Sequence, residues 1–113
     1  MLANSDRLKK NKEFDLVFKE GRTVYGEFLG IKARKNNLNN NRFGVLLSTK
    51  VSKSAVERNL YKRRIKAIIS QENLKIKTGQ DCVIIVLPVI IGKKAQEIKT
   101  EIQNIFIKLK FYN

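Results

Sequence analysis

The chain has 113 residues, 42% of them hydrophobic, and a formal net charge of +14 with no histidine and a single cysteine. This length suits one domain, residues 1–113, with an ordinary core and no room for a second. The composition excludes an internal disulfide and any Ser/His or Cys/His nucleophile pair, and leaves a structural zinc site short of its usual ligands.

The excess charge is uneven. Residues 50–66 hold seven Lys/Arg against one acid, Glu57, whereas the segments before and after carry only +5 and +3. A compact chain this cationic repels itself, which points to a phosphate backbone or an anionic membrane as its partner. The membrane is disfavoured: the longest apolar run, Cys82 to Ile91, is ten residues broken by Pro88, about half of the ~20 needed to span a bilayer. Residues 1–11 are polar and basic, unlike a signal peptide. The cytoplasm is therefore the expected compartment, and Cys82 is expected to be a small core residue. The ten acids are scattered. Asp6, Glu13, Asp15, Glu20 and Glu27 lie singly among basic residues, with no D-x-D pair to hold a catalytic Mg²⁺, so salt bridging and solvation account for them. A nuclease working by its own side chains is disfavoured, and no catalytic residue or protein-held metal is assigned.

In chain order, Asn11 is placed to cap a helix from about Lys12 to Glu20, with Gly21 closing it and Phe14, Val17 and Phe18 on one face. Thr23 to Arg34 reads as one extended segment or two short ones. In it Tyr25, Leu29, Ile31 and Ala33 alternate against Val24, Phe28, Lys32 and Arg34, with glycines at 26 and 30 weakening the register. Asn36 to Asn41 is a loop by composition. Arg42 to Thr49 is a strand built on Val45, Leu46 and Leu47.

The basic segment follows. Wound at 100° per residue from Val56, it collects Arg58, Asn59, Lys62, Arg63 and Lys66 within an arc of about 140°, while Val56, Leu60, Tyr61, Ile65, Ala67 and Ile68 fill most of the rest. Such a helix is expected to grip a core on one side and present a row of cations and an amide on the other. Glu72 to Gln80 reads as a polar connection. Asp81 to Leu87 is an almost purely apolar run that suits a strand covered on both faces, ended by Pro88. Ala95 to Lys110 is an amphipathic helix with Ile98, Ile102, Ile105, Phe106 and Leu109 at spacings of three and four. The expected order is α-β-β-β-α-β-α, an α+β two-layer sandwich with a four-stranded sheet packed on helices.

Arg42-x-Gly44, Lys50 and Ala55-x-x-Arg58-Asn59-x-x-Lys62-Arg63-x-x-Lys66 together resemble the protein component of bacterial ribonuclease P, whose central element is the RNR motif. The lead-in Arg7-Leu8-Lys9-Lys10-Asn11, the paired phenylalanines, Gly21 and Asp81-x-Val83-Ile84-Ile85 extend the resemblance over roughly Arg7 to Lys110. It implies a left-handed strand-helix-strand crossover, which periodicity does not give because right-handed crossovers are the default. It implies a non-catalytic subunit of an endoribonuclease, in which a large RNA and its Mg²⁺ hydrolyse the phosphodiester bond. The implied partners are that RNA and the 5′ leader of precursor tRNA, with no DNA and no membrane.

By the same resemblance, Arg42, Lys50, Lys53, Arg58, Asn59, Lys62, Arg63 and Lys66 bind RNA, and Phe14, Phe18 and Ile31 line the cleft that holds the leader. From the residues alone, Phe14 and Phe18 at helical spacing also suit a core. Ile31 stands where the family often has tyrosine, and Tyr25 is a candidate to compensate. Thr49 and Leu87-Pro88 replace common basic residues, and Arg64 falls in the apolar arc, where its stem can pack while its guanidinium reaches water. A general RNA-binding or ribosome-associated module is the rival expectation, and a protein-only nuclease the third.

Overall fold

The computed structural model describes residues 4–112 of the protein. Helix α1 (Asn11–Glu20) leads into strands β1 (Arg22–Tyr25), β2 (Leu29–Lys35) and β3 (Arg42–Leu46), then helix α2 (Ala55–Asn73), strand β4 (Gln80–Val86) and helix α3 (Ala95–Lys108). The strands form one sheet in the order β1-β2-β4-β3, antiparallel except for the parallel β3/β4 pair that α2 connects. The apolar β4 is an interior strand, and both of its faces are covered. Cys82, Ile84 and Val86 join the main core beneath α2 and α3, whereas Val83 packs with Leu8 and Val17 beneath α1. Cys82 is fully buried, and that burial, helped by neighbouring Asp81, pushes its thiol pKa far up.

Several local expectations change. Asn11 is the first helical residue rather than the cap; the carboxylate of Glu13 accepts the N–H groups of Lys9 and Lys10 at 2.9 and 3.1 Å. Gly21 does close the helix, donating to the Val17 carbonyl at 2.7 Å. The 23–34 segment is a hairpin whose alternation breaks at residues 26–28. Glu101 on α3 accepts the N–H groups of Glu27, Phe28 and Leu29 there, and thus fixes the turn from a position 72 or more residues away. β3 stops at Leu46, after which Leu47 and Val51 are buried and anchor the loop to α2.

α2 runs through Asn73, so Glu72 does not begin a polar connection. It is buried, accepting from the Tyr112 hydroxyl at 2.6 Å and Gln103 at 3.3 Å, with the Lys75 ammonium at 3.5 Å. Burial pushes its carboxyl pKa up, but the Tyr112 and Gln103 hydrogen bonds and the Lys75 charge outweigh it and hold the group below the ordinary carboxylate range. A carboxyl lowered by folding stabilises the native state above its unfolded pKa, and the benefit is lost as pH falls through the folded value. Tyr112→Phe removes one charge-assisted bond, so a loss of about 1.5–3 kcal/mol is expected near pH 7, shrinking below about pH 4. Urea midpoints at the two pH values check it.

Candidate nucleic-acid interface

α2 is capped by Ser54, whose hydroxyl accepts the Glu57 N–H at 3.2 Å. Its buried stripe is Tyr61, Ile65, Ile68, Ile69 and Glu72, with Tyr61 also accepting the Gly92 N–H at 2.8 Å. The core-facing arc therefore lies further round than the sequence alone indicates. Val56, 79% exposed, lies beside the cations instead of the core, and Leu60 is also on the solvent side. Asn59, Lys62, Arg63 and Lys66 line one shallow hollow together with Val56. Arg58 sits at the margin of that row, and its Nη1 donates to the Ser52 carbonyl at 2.8 Å, bracing the preceding loop. Lys50 and Lys53 are exposed on the same loop. Arg64 lies with its guanidinium 5.4 Å from the Tyr61 ring centre, so its charge rests on an aromatic face.

Arg42 has a different place from the one anticipated. Its Nε and Nη2 donate to both oxygens of Asp81 at 2.8 and 2.7 Å, and its Nη1 donates to Glu13 at 2.6 Å. Asp81 is 1% exposed and also accepts from Asn36 at 2.8 Å. A guanidinium held by two carboxylates is a structural tie between α1, β3 and β4, where a free RNA-facing cation was expected. Backbone hydrogen bonds from Lys9 and Lys10, then the charge of Arg42, hold the Glu13 carboxyl below its ordinary pKa against the opposing effect of burial.

The other face of the sheet carries the aromatics. Phe14 is half-buried and Phe18 40% exposed, so both rings pack on one side and remain open on the other. Ile31 does not join them. Paired with Ile84 and Val24, it points into the core beneath α2 and α3 and is 0% exposed. Strand alternation sends its neighbours Gly30 and Lys32 to the α1 side instead. Lys32 places its ammonium 5.5 Å from the Phe18 ring centre, and Tyr25, paired with Gly30, lays its ring where a Cβ on Gly30 would meet it at 2.4 Å. The aromatic face thus comprises Phe14, Phe18 and Tyr25, with Lys32 against the Phe18 ring. Lys32 was legible in principle, as it is one residue out of phase with the buried Ile31.

The two regions meet. Phe14 and Gly44 line a hollow together with Lys62 and Lys66, so the cationic helix and the aromatic face share a wall. Three of the nearby acids are occupied, Glu13 and Asp81 by Arg42 and Glu20 by Arg34 at 2.6 Å. Among the described residues, no group of three or more metal-ligating side chains occurs, and no helix is long and apolar enough to cross a membrane.

A family model described as ribonuclease P matches residues 2–110. The chain belongs to the ribonuclease P protein family. Among its relatives, the ribonuclease P protein component of a Pseudanabaena species is 35% identical over 111 residues, covering 97% of this chain and 96% of the relative. That of Clostridium kluyveri is 37% identical over 108 residues, covering 94% and 96%. The solved ribonuclease P protein of Thermotoga maritima is 27% identical, with a TM-score of 0.80 and coverage of 87% and 94%. A Staphylococcus aureus ribonuclease P protein mutant superposes with a TM-score of 0.88 at 23% identity, covering 96% and 91%, a likeness of fold alone. As a ribonuclease P protein, the chain has the α+β arrangement of a four-stranded sheet with three helices.

Proposed function

We propose that this chain, acting as one RNA-binding domain, is the protein subunit of a bacterial ribonuclease P, the endoribonuclease that removes the 5′ leader of precursor tRNA. Lys50, Lys53, Arg58, Asn59, Lys62, Arg63 and Lys66 bind the catalytic RNA subunit, and Phe14, Phe18, Tyr25 and Lys32 receive the single-stranded leader. The observation that carries this reading is the hollow in which Phe14 adjoins Lys62 and Lys66, since a flexible strand needs rings for its bases beside cations for its phosphates. Base stacking makes little sequence demand, which suits a leader of variable sequence. Mature tRNA lacks the leader and is thereby distinguished.

The hydrolysis itself belongs to the RNA and its Mg²⁺. Glu13, Glu20 and Asp81 near the aromatic face are paired with arginines, which supports a contribution by charge neutralisation and substrate positioning. The cytoplasm is the compartment that goes with this role. Mixing purified protein with the RNA subunit from the same cell and assaying leader removal at low Mg²⁺ tests the proposal. Rescue of the RNA's activity is expected. Binding without rescue would favour a general RNA-binding protein, and cleavage without added RNA a protein nuclease. Within this scheme, Lys62→Ala and Lys66→Ala are each expected to weaken RNA-subunit binding and flatten the slope of log K against log salt by about 0.7–0.9 for each phosphate left unneutralised. Filter binding across a salt series measures it, and an unchanged slope would mean that these lysines do not neutralise phosphates.

A further inference from the structure

The Arg42-x-Gly44 pattern on β3 meets two consecutive residues of α1. Residues two apart on a strand share a face, and the pairing of Arg42 with Asp81 and Gly44 with Val83 puts both on the α1 side of the sheet. Arg42 grips Glu13 at 2.6 Å while its other two donors hold buried Asp81. Next along the helix, Phe14 rests against Gly44 so closely that a Cβ there would stand 2.5 Å from ring atoms Cε1 and Cζ, with Leu8 Cβ at 3.4 Å. Leu8 is itself fixed by its N–H on the Phe43 carbonyl at 2.9 Å.

We infer that Arg42 and Gly44 form a cradle that positions Phe14 for the leader, with Glu13 as the handle by which Arg42 sets the helix. The inference rests on the leader-binding reading above. The planar three-point arrangement of Arg42 leaves the first turn of α1 little freedom to rotate or slide, because a guanidinium bound through Nε, Nη1 and Nη2 is defined in orientation as well as distance. Gly44 then lets the ring lie against the strand backbone, keeping its outer side open toward Lys62 and Lys66. Glu13, Arg42 and Gly44 are thus positioning residues that act through Phe14. A side chain at 44 would lift the ring into the space proposed for the nucleotide.

The test uses the reconstituted holoenzyme and compares affinity for precursor and mature tRNA. Phe14→Ala and Gly44→Ala are each expected to lower precursor affinity roughly tenfold, and Glu13→Ala severalfold, with mature tRNA little changed. Because the cradle works through the ring, Glu13→Ala or Gly44→Ala should cost almost nothing further on a Phe14→Ala background. Additive losses, or equal losses for both tRNAs, would overturn the cradle. Should Glu13→Ala fail to fold by circular dichroism, Gly44→Ala with and without Phe14→Ala decides alone, since removing the ring also removes the clash. If Phe14→Ala lowers precursor affinity but Glu13→Ala and Gly44→Ala do not, the cradle fails and the leader reading stands. If Phe14→Ala leaves precursor affinity unchanged, both fail.

Discussion

Asp81→Ala is expected to destabilise the protein by about 3 kcal/mol, seen as a lower urea midpoint with an unchanged slope. The carboxylate is 1% exposed and accepts three hydrogen bonds, two from Arg42 and one from Asn36. Removing it strands most of a guanidinium whose side chain is only 21% exposed, and leaving one member of a hydrogen-bonded ion pair unpaired costs more than the intact pair contributes. Water reaching the partly open Arg42 and the surviving Glu13 bond keep the loss from the upper end of the range for buried pairs. Asp81→Asn should cost less, because its amide oxygen still accepts from Arg42. A loss below 1 kcal/mol for Asp81→Ala would mean that α1, β3 and β4 are held mainly by apolar packing, and Arg42 would then be free to serve as an RNA contact.

What could be read from the sequence divides along a physical line. Elements whose burial is set by local period were legible: the apolar run Cys82 to Val86 of β4, the amphipathic α3 and the cationic row on α2 all follow from the repeat within a single helix or strand. Arrangements made by distant partners were not. Glu72 looks like the start of a polar connection because Tyr112 and Gln103, which satisfy its carboxylate, lie 40 and 31 residues away. Arg42 looks like another free cation because its acceptors are 29 and 39 residues away. Val56 and Leu60 look like core because hydrophobicity alone does not reveal where the buried stripe of α2 is centred; Tyr61, Ile65 and Ile69 locate it only once α3 and the sheet are in position. The same long-range ties explain how so cationic a chain stays compact. Glu13, Glu20 and Asp81 are used in such ties, while the positive charge is densest on the loop before α2 and on the outward side of that helix.

Ile31→Ala is expected to cost about 2–5 kcal/mol and to leave the discrimination between precursor and mature tRNA intact in the protein that remains folded. The side chain is 0% exposed and pairs across the sheet with Ile84 on one side and Val24 on the other, so truncation opens a cavity in the main core beneath α2 and α3. As a cleft residue, Ile31 would behave in the opposite way: little change in stability and a loss confined to leader-bearing substrate. Tyr25→Ala and Lys32→Ala provide the contrast, since both residues lie on the α1 side of the sheet and Lys32 sits against the Phe18 ring. Urea denaturation and paired tRNA affinities on the three variants separate the two arrangements. A leader-specific loss for Ile31→Ala at an unchanged urea midpoint would place β2 one residue out of register, because a slip of one exchanges every side chain between the two faces of the sheet.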